Sequence, residues 1–169
     1  MNKLTRHLAI DIIVKIKFLH LNSVEKENIL VDILSENDEY LLVKGPNESK
    51  FNTPIINFLK IAFKGVTNQY LCEVIRELLH IEVEVVGKIE QLNICPCCGY
   101  KTLDSIGNYD ICSLCLWEDD GGYPSDLERY STVNSATLSE AKKCFFAKKK
   151  IFLEEIKYLL AQDTNKNVD

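Results

Sequence analysis

The sequence predicts an α+β protein: a helical N-terminal half with a short sheet, then a four-cysteine zinc-ribbon module, then a long C-terminal helix. Three observations carry this. Apolar residues recur at helical spacing through most of residues 3–79. One stretch near Val83 alternates apolar and acidic residues instead. Four cysteines, Cys95, Cys98, Cys112 and Cys115, fall in two CxxC pairs, a spacing typical of metal ligands.

Leu4, Leu8, Ile12, Ile16 and Leu19 mark a helix over residues 3–20, although Ile10, Ile12, Val14, Ile16 and Phe18 also alternate as in a strand. Asn22 and Glu25 have the spacing of a capping box, opening a second helix with Ile29, Leu30, Ile33 and Leu34. Residues 45–50 read as a loop. Thr53-Pro54 starts a third helix that Gly65 ends, and Thr67 caps a fourth with Leu71, Val74, Ile75, Leu78 and Leu79 on one stripe. His80 ends that helix, where a cation is favourable. Ile81, Val83 and Val85 then alternate with Glu82 and Glu84 as a strand with one wet face, stopped by Gly87. Thr137-Leu138-Ser139-Glu140 is a second capping box, opening a final helix with Ala141, Cys144, Phe145, Phe152, Ile156 and Leu159 on one face. The expected organisation is a helical region over 1–90 ending in a strand, a metal ribbon over 91–136, a helix over 137–161 packed on the core, and a disordered tail over 162–169.

Composition is that of an ordinary globular protein, with 46% hydrophobic and 27% charged residues. A net charge of -5 argues against charge-driven binding to nucleic acid. The seven cysteines are odd in number and crowded, unlike a secreted disulfide framework. No secretory pattern opens the chain and no apolar run reaches membrane-spanning length, so a cytoplasmic location is expected.

In the cysteine module, Pro96 stiffens the first CxxC turn and Gly99 permits a left-handed residue after it. Leu116 stands where the second pair would favour glycine. Thr102, Leu103, Ile106, Tyr109 and Ile111 suggest a hairpin between the pairs, turned near residues 105–108. Four thiolates leave no open coordination position, which points to structural Zn²⁺ with Trp117 as an apolar cover. Cys97 is either a substitute ligand or a free thiol. His7, His20 and His80 are far apart, so no catalytic set is assembled and no enzyme is expected.

Cys95-Pro-Cys-Cys-Gly-Tyr100, Tyr109-Asp-Ile-Cys112, Cys115, Trp117-Glu-Asp-Asp-Gly121 and Asn134-Ser-Ala-Thr-Leu-Ser-Glu-Ala141 together resemble the bacterial cysteine-rich CPCC family. Ser113-Leu114 and Leu116 depart from its usual second loop, and Ser131 and Thr132 replace its usual glycines. The resemblance implies a small cytoplasmic partner that protects against a contact-dependent or polymorphic bacterial toxin. Seven acids (Asp104, Asp110, Glu118, Asp119, Asp120, Asp126 and Glu128) lie in a stretch with no Lys or Arg. A zinc held by four thiolates adds a formal charge of about −2. Such a knob suits the basic groove of a nuclease toxin, making an immunity protein the leading expectation. The alternative is a nucleic-acid-binding zinc-ribbon adaptor, suggested by Lys142, Lys143, Lys149, Lys150 and Lys157 in the final helix.

Overall fold

The chain opens as a strand, not a helix. In the computed structural model, which describes residues 2–34, 45–122, 125–148 and 157–158, β1 (Asn2–Thr5) precedes α1 (Arg6–His20). Thr5 is the switch between them: its backbone is extended and its hydroxyl accepts the Leu8 N–H at 3.3 Å as a helix cap. The helix buries Ala9, Ile13 and Val14, while Leu8 and Leu19 of the expected stripe are exposed. α1 is apolar around much of its circumference, so periodicity alone does not select the buried face.

Two units emerge, one from the residues up to Lys64 with Leu71–Lys88, the other from Gly65–Tyr70 with the residues from Ile89 onward. In the first unit α2 (Ser23–Leu34) carries the expected capping box. Asn22 Oδ1 accepts the N–H groups of Val24 and Glu25 at 2.9 and 3.0 Å, and Glu25 returns a carboxylate oxygen to the Asn22 N–H at 2.8 Å. A 3-10 turn (Ser49–Phe51) leads into α3 (Asn52–Ile61), where Pro54 sits in the first turn and removes no intrahelical bond. α3 packs on both α1 and α2, burying Ile55. Lys60 Nζ reaches Asp11 Oδ1 at 2.7 Å, and this hydrogen bond holds the Asp11 carboxyl below the usual carboxylate range. Buried Arg6 donates to the Phe63 carbonyl at 3.3 Å.

α4 (Asn68–Leu79) buries Leu71, Val74 and Ile75, and its first residues belong to the second unit. His80 closes it in a left-handed conformation (φ 55°), donating its N–H to the Arg76 carbonyl. β2 (Val83–Val86) follows and pairs in parallel with β1, Asn2 opposite Val83. Val83 and Val85 are buried with Glu84 between them half-buried, which is the alternation the sequence carries.

The second unit is built from short pieces: β3 (Asn93–Ile94) with β4 (Lys101–Leu103), β5 (Tyr130–Ser131) with β6 (Ala136–Thr137), both antiparallel, and α5 (Leu138–Lys148). The Thr137 capping box forms, with Glu140 accepting the Thr137 N–H at 2.8 Å and the Thr137 hydroxyl accepting the Glu140 N–H at 3.2 Å. Cys144, expected on the apolar face, is exposed. Phe152, Ile156, Leu159 and the tail over 162–169 lie outside the described residues. The expected helix through 161 is interrupted at Tyr158, which forms an isolated antiparallel bridge with Val66 while Thr67 donates its N–H to the Lys157 carbonyl at 2.8 Å. Among the described residues no helix is long and apolar enough to cross a membrane.

Replacing the exposed cap residue, Asn22→Ala, is expected to destabilise the protein by about 1 kcal/mol in urea unfolding, whereas Asn22→Asp retains most of the wild-type stability.

Candidate metal centre

Each CxxC pair sits at the tip of its own short hairpin. The first is formed by β3 and β4; the second is closed by the isolated bridge between Ile111 and Glu118. The expected single hairpin between the pairs is therefore replaced by two hairpins around them. Residues 105–108 are a bend between β4 and the second knuckle.

The knuckles repeat one hydrogen-bond scheme. Cys95 donates its N–H to the Tyr100 carbonyl at 2.8 Å and accepts the Gly99 N–H at 2.9 Å. Cys112 donates to the Trp117 carbonyl at 2.8 Å and accepts the Leu116 N–H at 2.9 Å. Gly99 (φ 79°) and Leu116 (φ 64°) occupy equivalent left-handed positions. Glycine does so freely; leucine does so at a conformational cost of about 1–2 kcal/mol. Tyr100 and Trp117 follow in equivalent places and both are buried.

The four sulfurs converge. All lie within 4.8 Å of one another, with Cys95 Sγ 3.6 Å from Cys115 Sγ and Cys98 Sγ 3.7 Å from Cys112 Sγ. A disulfide would require about 2.05 Å. A tetrahedron of sulfurs about 2.3 Å from a central cation has edges of about 3.8 Å, so the spacing fits a four-thiolate metal site. Cys95, Cys98 and Cys112 are buried and Cys115 is partly exposed. The site can therefore hold a metal ion and leaves no ligand position unfilled.

The thiols do not ionise independently. Hydrogen bonds from Cys115, Cys95 and Cys98 draw Cys112 far below the ordinary thiol range against the opposing effect of burial, and Thr102 assists. Contact with Cys112 pushes Cys95 and Cys98 far above that range and Cys115 up to about 12. Charge on one sulfur disfavours charge on its neighbours. Four thiolates side by side require a cation among them.

Outer contacts orient the ligands, as such shells do in metal sites. Cys112 Sγ lies 3.0 Å from the Thr102 hydroxyl and accepts the N–H groups of Leu114 and Cys115, each at 3.4 Å. Ser113 donates its hydroxyl to Tyr158 Oη at 2.8 Å. Neither Thr102 nor Tyr158 carries a sequence signal for this role, because both contacts depend on chain pairing. Cys97 lies outside the four-sulfur cluster, buried against Cys115.

The acids divide by position. Asp110 accepts the Ser105 N–H at 2.6 Å, and buried Asp119 accepts the Gly107 N–H at 2.7 Å. That second bond holds Gly107 against Gly121, where a Cβ on Gly107 would stand 3.3 Å from the Gly121 Cα. Asp120 pairs with Arg129 at 3.0 Å and accepts the Gly122 N–H. Burial opposes its ionisation, but hydrogen bonds from Arg129, Ser131 and Gly122 outweigh burial and lower its pKa. Asp104, Asp126 and Glu128 are exposed and Glu118 is half-buried. Asn134 clamps the Glu118 backbone from both sides, accepting its N–H at 2.9 Å and donating to its carbonyl at 2.8 Å. The side-chain amide thus takes the place of a pairing strand.

Together these features define a protein whose paired knuckles bring four cysteines into a closed site able to hold a metal ion. Residues 93–150 match the family described as Cysteine-rich CPCC, a span that opens at β3 and takes in both knuckles, β5, β6 and α5. No curated protein and no solved structure matches the chain.

Two substitutions test the knuckle geometry. Leu116→Gly is expected to raise stability by about 0.5–1 kcal/mol, because relief of the left-handed leucine exceeds the added freedom of the unfolded glycine. The reciprocal Gly99→Leu is expected to lower it by about 1–2 kcal/mol although nothing lies within 4 Å of the added Cβ. Asp119→Ala is expected to destabilise by about 2 kcal/mol through loss of a charge-assisted bond to Gly107, read from thermal unfolding of the metal-loaded protein.

Proposed function

We infer that the protein is an immunity protein that binds a cognate bacterial toxin, a nuclease with a basic groove, and occludes its active site. The metal is Zn²⁺ and acts structurally. The observation that carries this reading is the charge of the metal module. From Asp104 to Glu128 it has seven acids and no Lys or Arg, and a divalent ion in four thiolates leaves the centre itself anionic. Such a surface repels phosphate and attracts a protein built to grip phosphate.

Two further features support it. The four sulfurs fill a tetrahedral cation's coordination sphere, which suits a structural ion better than one that activates water. An all-sulfur tetrahedral set also favours zinc or iron over harder cations. Similarity of residues 93–150 to the CPCC family agrees with this donor set. On this reading the protein catalyses nothing and works where its toxin would otherwise act, in the cytoplasm.

The protein is expected to purify colourless with one zinc per chain by elemental analysis; bound iron would show visible absorbance and refute the zinc assignment. Cys112→Ser is expected to abolish stoichiometric metal and the folded signals of residues 93–137, since metal binding at such sites is worth about 10–16 kcal/mol. Co-purification with the toxin domain encoded beside its gene, and inhibition of that domain's nuclease activity at equimolar ratio, tests the immunity reading. Absence of association overturns it. A salt-dependent gel shift of DNA or RNA by the protein alone would favour the adaptor alternative.

A further inference from the structure

The hairpin carrying the second knuckle has two unlike faces. Cys112 donates to the Trp117 carbonyl and Asp119 donates to the Asp110 carbonyl, on either side of the Ile111–Glu118 bridge. Residues 110, 112, 117 and 119 therefore point one way, and residues 111 and 118 the other. The inward set is the site itself: Cys112, Trp117 and Asp119 are buried. Outward stands Ile111, 60% exposed; Tyr109, two residues before it, is 59% exposed, and Leu116, two residues before Glu118, is 75% exposed. Ile111 and Glu118 face each other across a non-hydrogen-bonded pair, the closer kind, so a carboxylate lies directly beside the apolar strip.

Two of the three apolar residues sit where apolar residues are poorly suited. Tyr109 (φ 60°) and Leu116 (φ 64°) are left-handed, and neither recovers the cost by burial within this chain. At the position equivalent to Leu116 the first knuckle has Gly99. The second knuckle thus displays bulk where its twin displays none.

We propose that Tyr109, Ile111 and Leu116 form the central contact by which the protein docks on a partner protein whose surface has an apolar socket ringed by Lys and Arg. Charge complementarity selects this occupant. A second copy would bring Glu118 and the anionic centre against their own like. An anionic membrane or a nucleic acid meets the same repulsion. A cationic protein surface gains from the strip by burial and from Glu118 at its edge by attraction, an apolar centre beside a charge. The inference rests on the immunity reading for its partner, the basic toxin, and assigns the surface that reading leaves open.

The test uses the full-length, zinc-loaded protein and the toxin domain encoded beside its gene, followed by surface-immobilised binding kinetics. The triple variant Tyr109→Asn, Ile111→Thr, Leu116→Gly places residues that tolerate the same backbone at each position. It is expected to keep one zinc per chain and an unchanged or higher unfolding temperature, yet to lose roughly a hundredfold in affinity, mostly through faster dissociation. Leu116→Gly alone is expected to lose roughly tenfold while gaining stability, which separates docking from folding. Glu118→Gln is expected to slow association and weaken its salt dependence with little change in dissociation. If wild type binds and the triple variant binds within about twofold of it, the strip is not the docking surface and the immunity reading stands. If wild type itself does not bind the toxin domain, the immunity reading falls and this inference falls with it.

Discussion

Convergence of four sulfurs on one point is the constraint on which the second unit depends. Its strands are two or three residues long, and its hairpins would be marginal in water by themselves. What fixes them is that Cys95, Cys98, Cys112 and Cys115 must bring their sulfurs within 4.8 Å of one another, a spacing at which four thiolates would need a shared cation. Each knuckle then becomes a rigid turn whose hydrogen-bond scheme directs an aromatic residue, Tyr100 or Trp117, inward. The rest attaches to these turns. Asn134 pairs with the Glu118 backbone, Ser113 with Tyr158, and Asp119 with the bend at Gly107.

The ligands and the caps are legible in the sequence because both are local. CxxC fixes which sulfurs share a turn, and Cys97, though buried nearby, stays outside the cluster. Asn22 with Glu25, and Thr137 with Glu140, need only their short spacing to form reciprocal bonds, and both pairs do. The alternation at Val83–Val86 likewise survives into β2. Long-range partners are not legible. Leu4 belongs to a strand because β2 lies beside it, far along the chain, and no pattern near residue 4 specifies that neighbour. Apolar spacing predicts that the final helix runs on through 161, yet Tyr158 instead bridges Val66.

The single hairpin expected between the CxxC pairs fails for a physical reason. Apolar residues around a turn-like Gly107 give the same pattern whether the strands pair with each other or each with the far side of its own knuckle. The tie-breaker is Asp119, which draws the Gly107 amide onto the WEDDG loop and so makes residues 105–108 a brace rather than a hairpin tip. Buried acid in that string has a structural purpose that composition cannot reveal.

This also changes what the acidic stretch means. A count along the chain treats seven carboxylates as equivalent, but Asp110, Asp119 and Asp120 each accept a bond from within the unit. Those bonds occupy them within the unit, so they are not available as direct contacts. The bonded acids and the exposed side chains are thereby different residues. The inward acids hold the knuckles in shape. On the docking surface proposed above, the exposed strip of Tyr109, Ile111 and Leu116, with Glu118 at its edge, determines how well a surface fits once it has arrived. A docking face of that kind discriminates by shape and desolvation rather than by charge alone, so a protein that relied only on net charge would bind any basic partner, and one with this division need not.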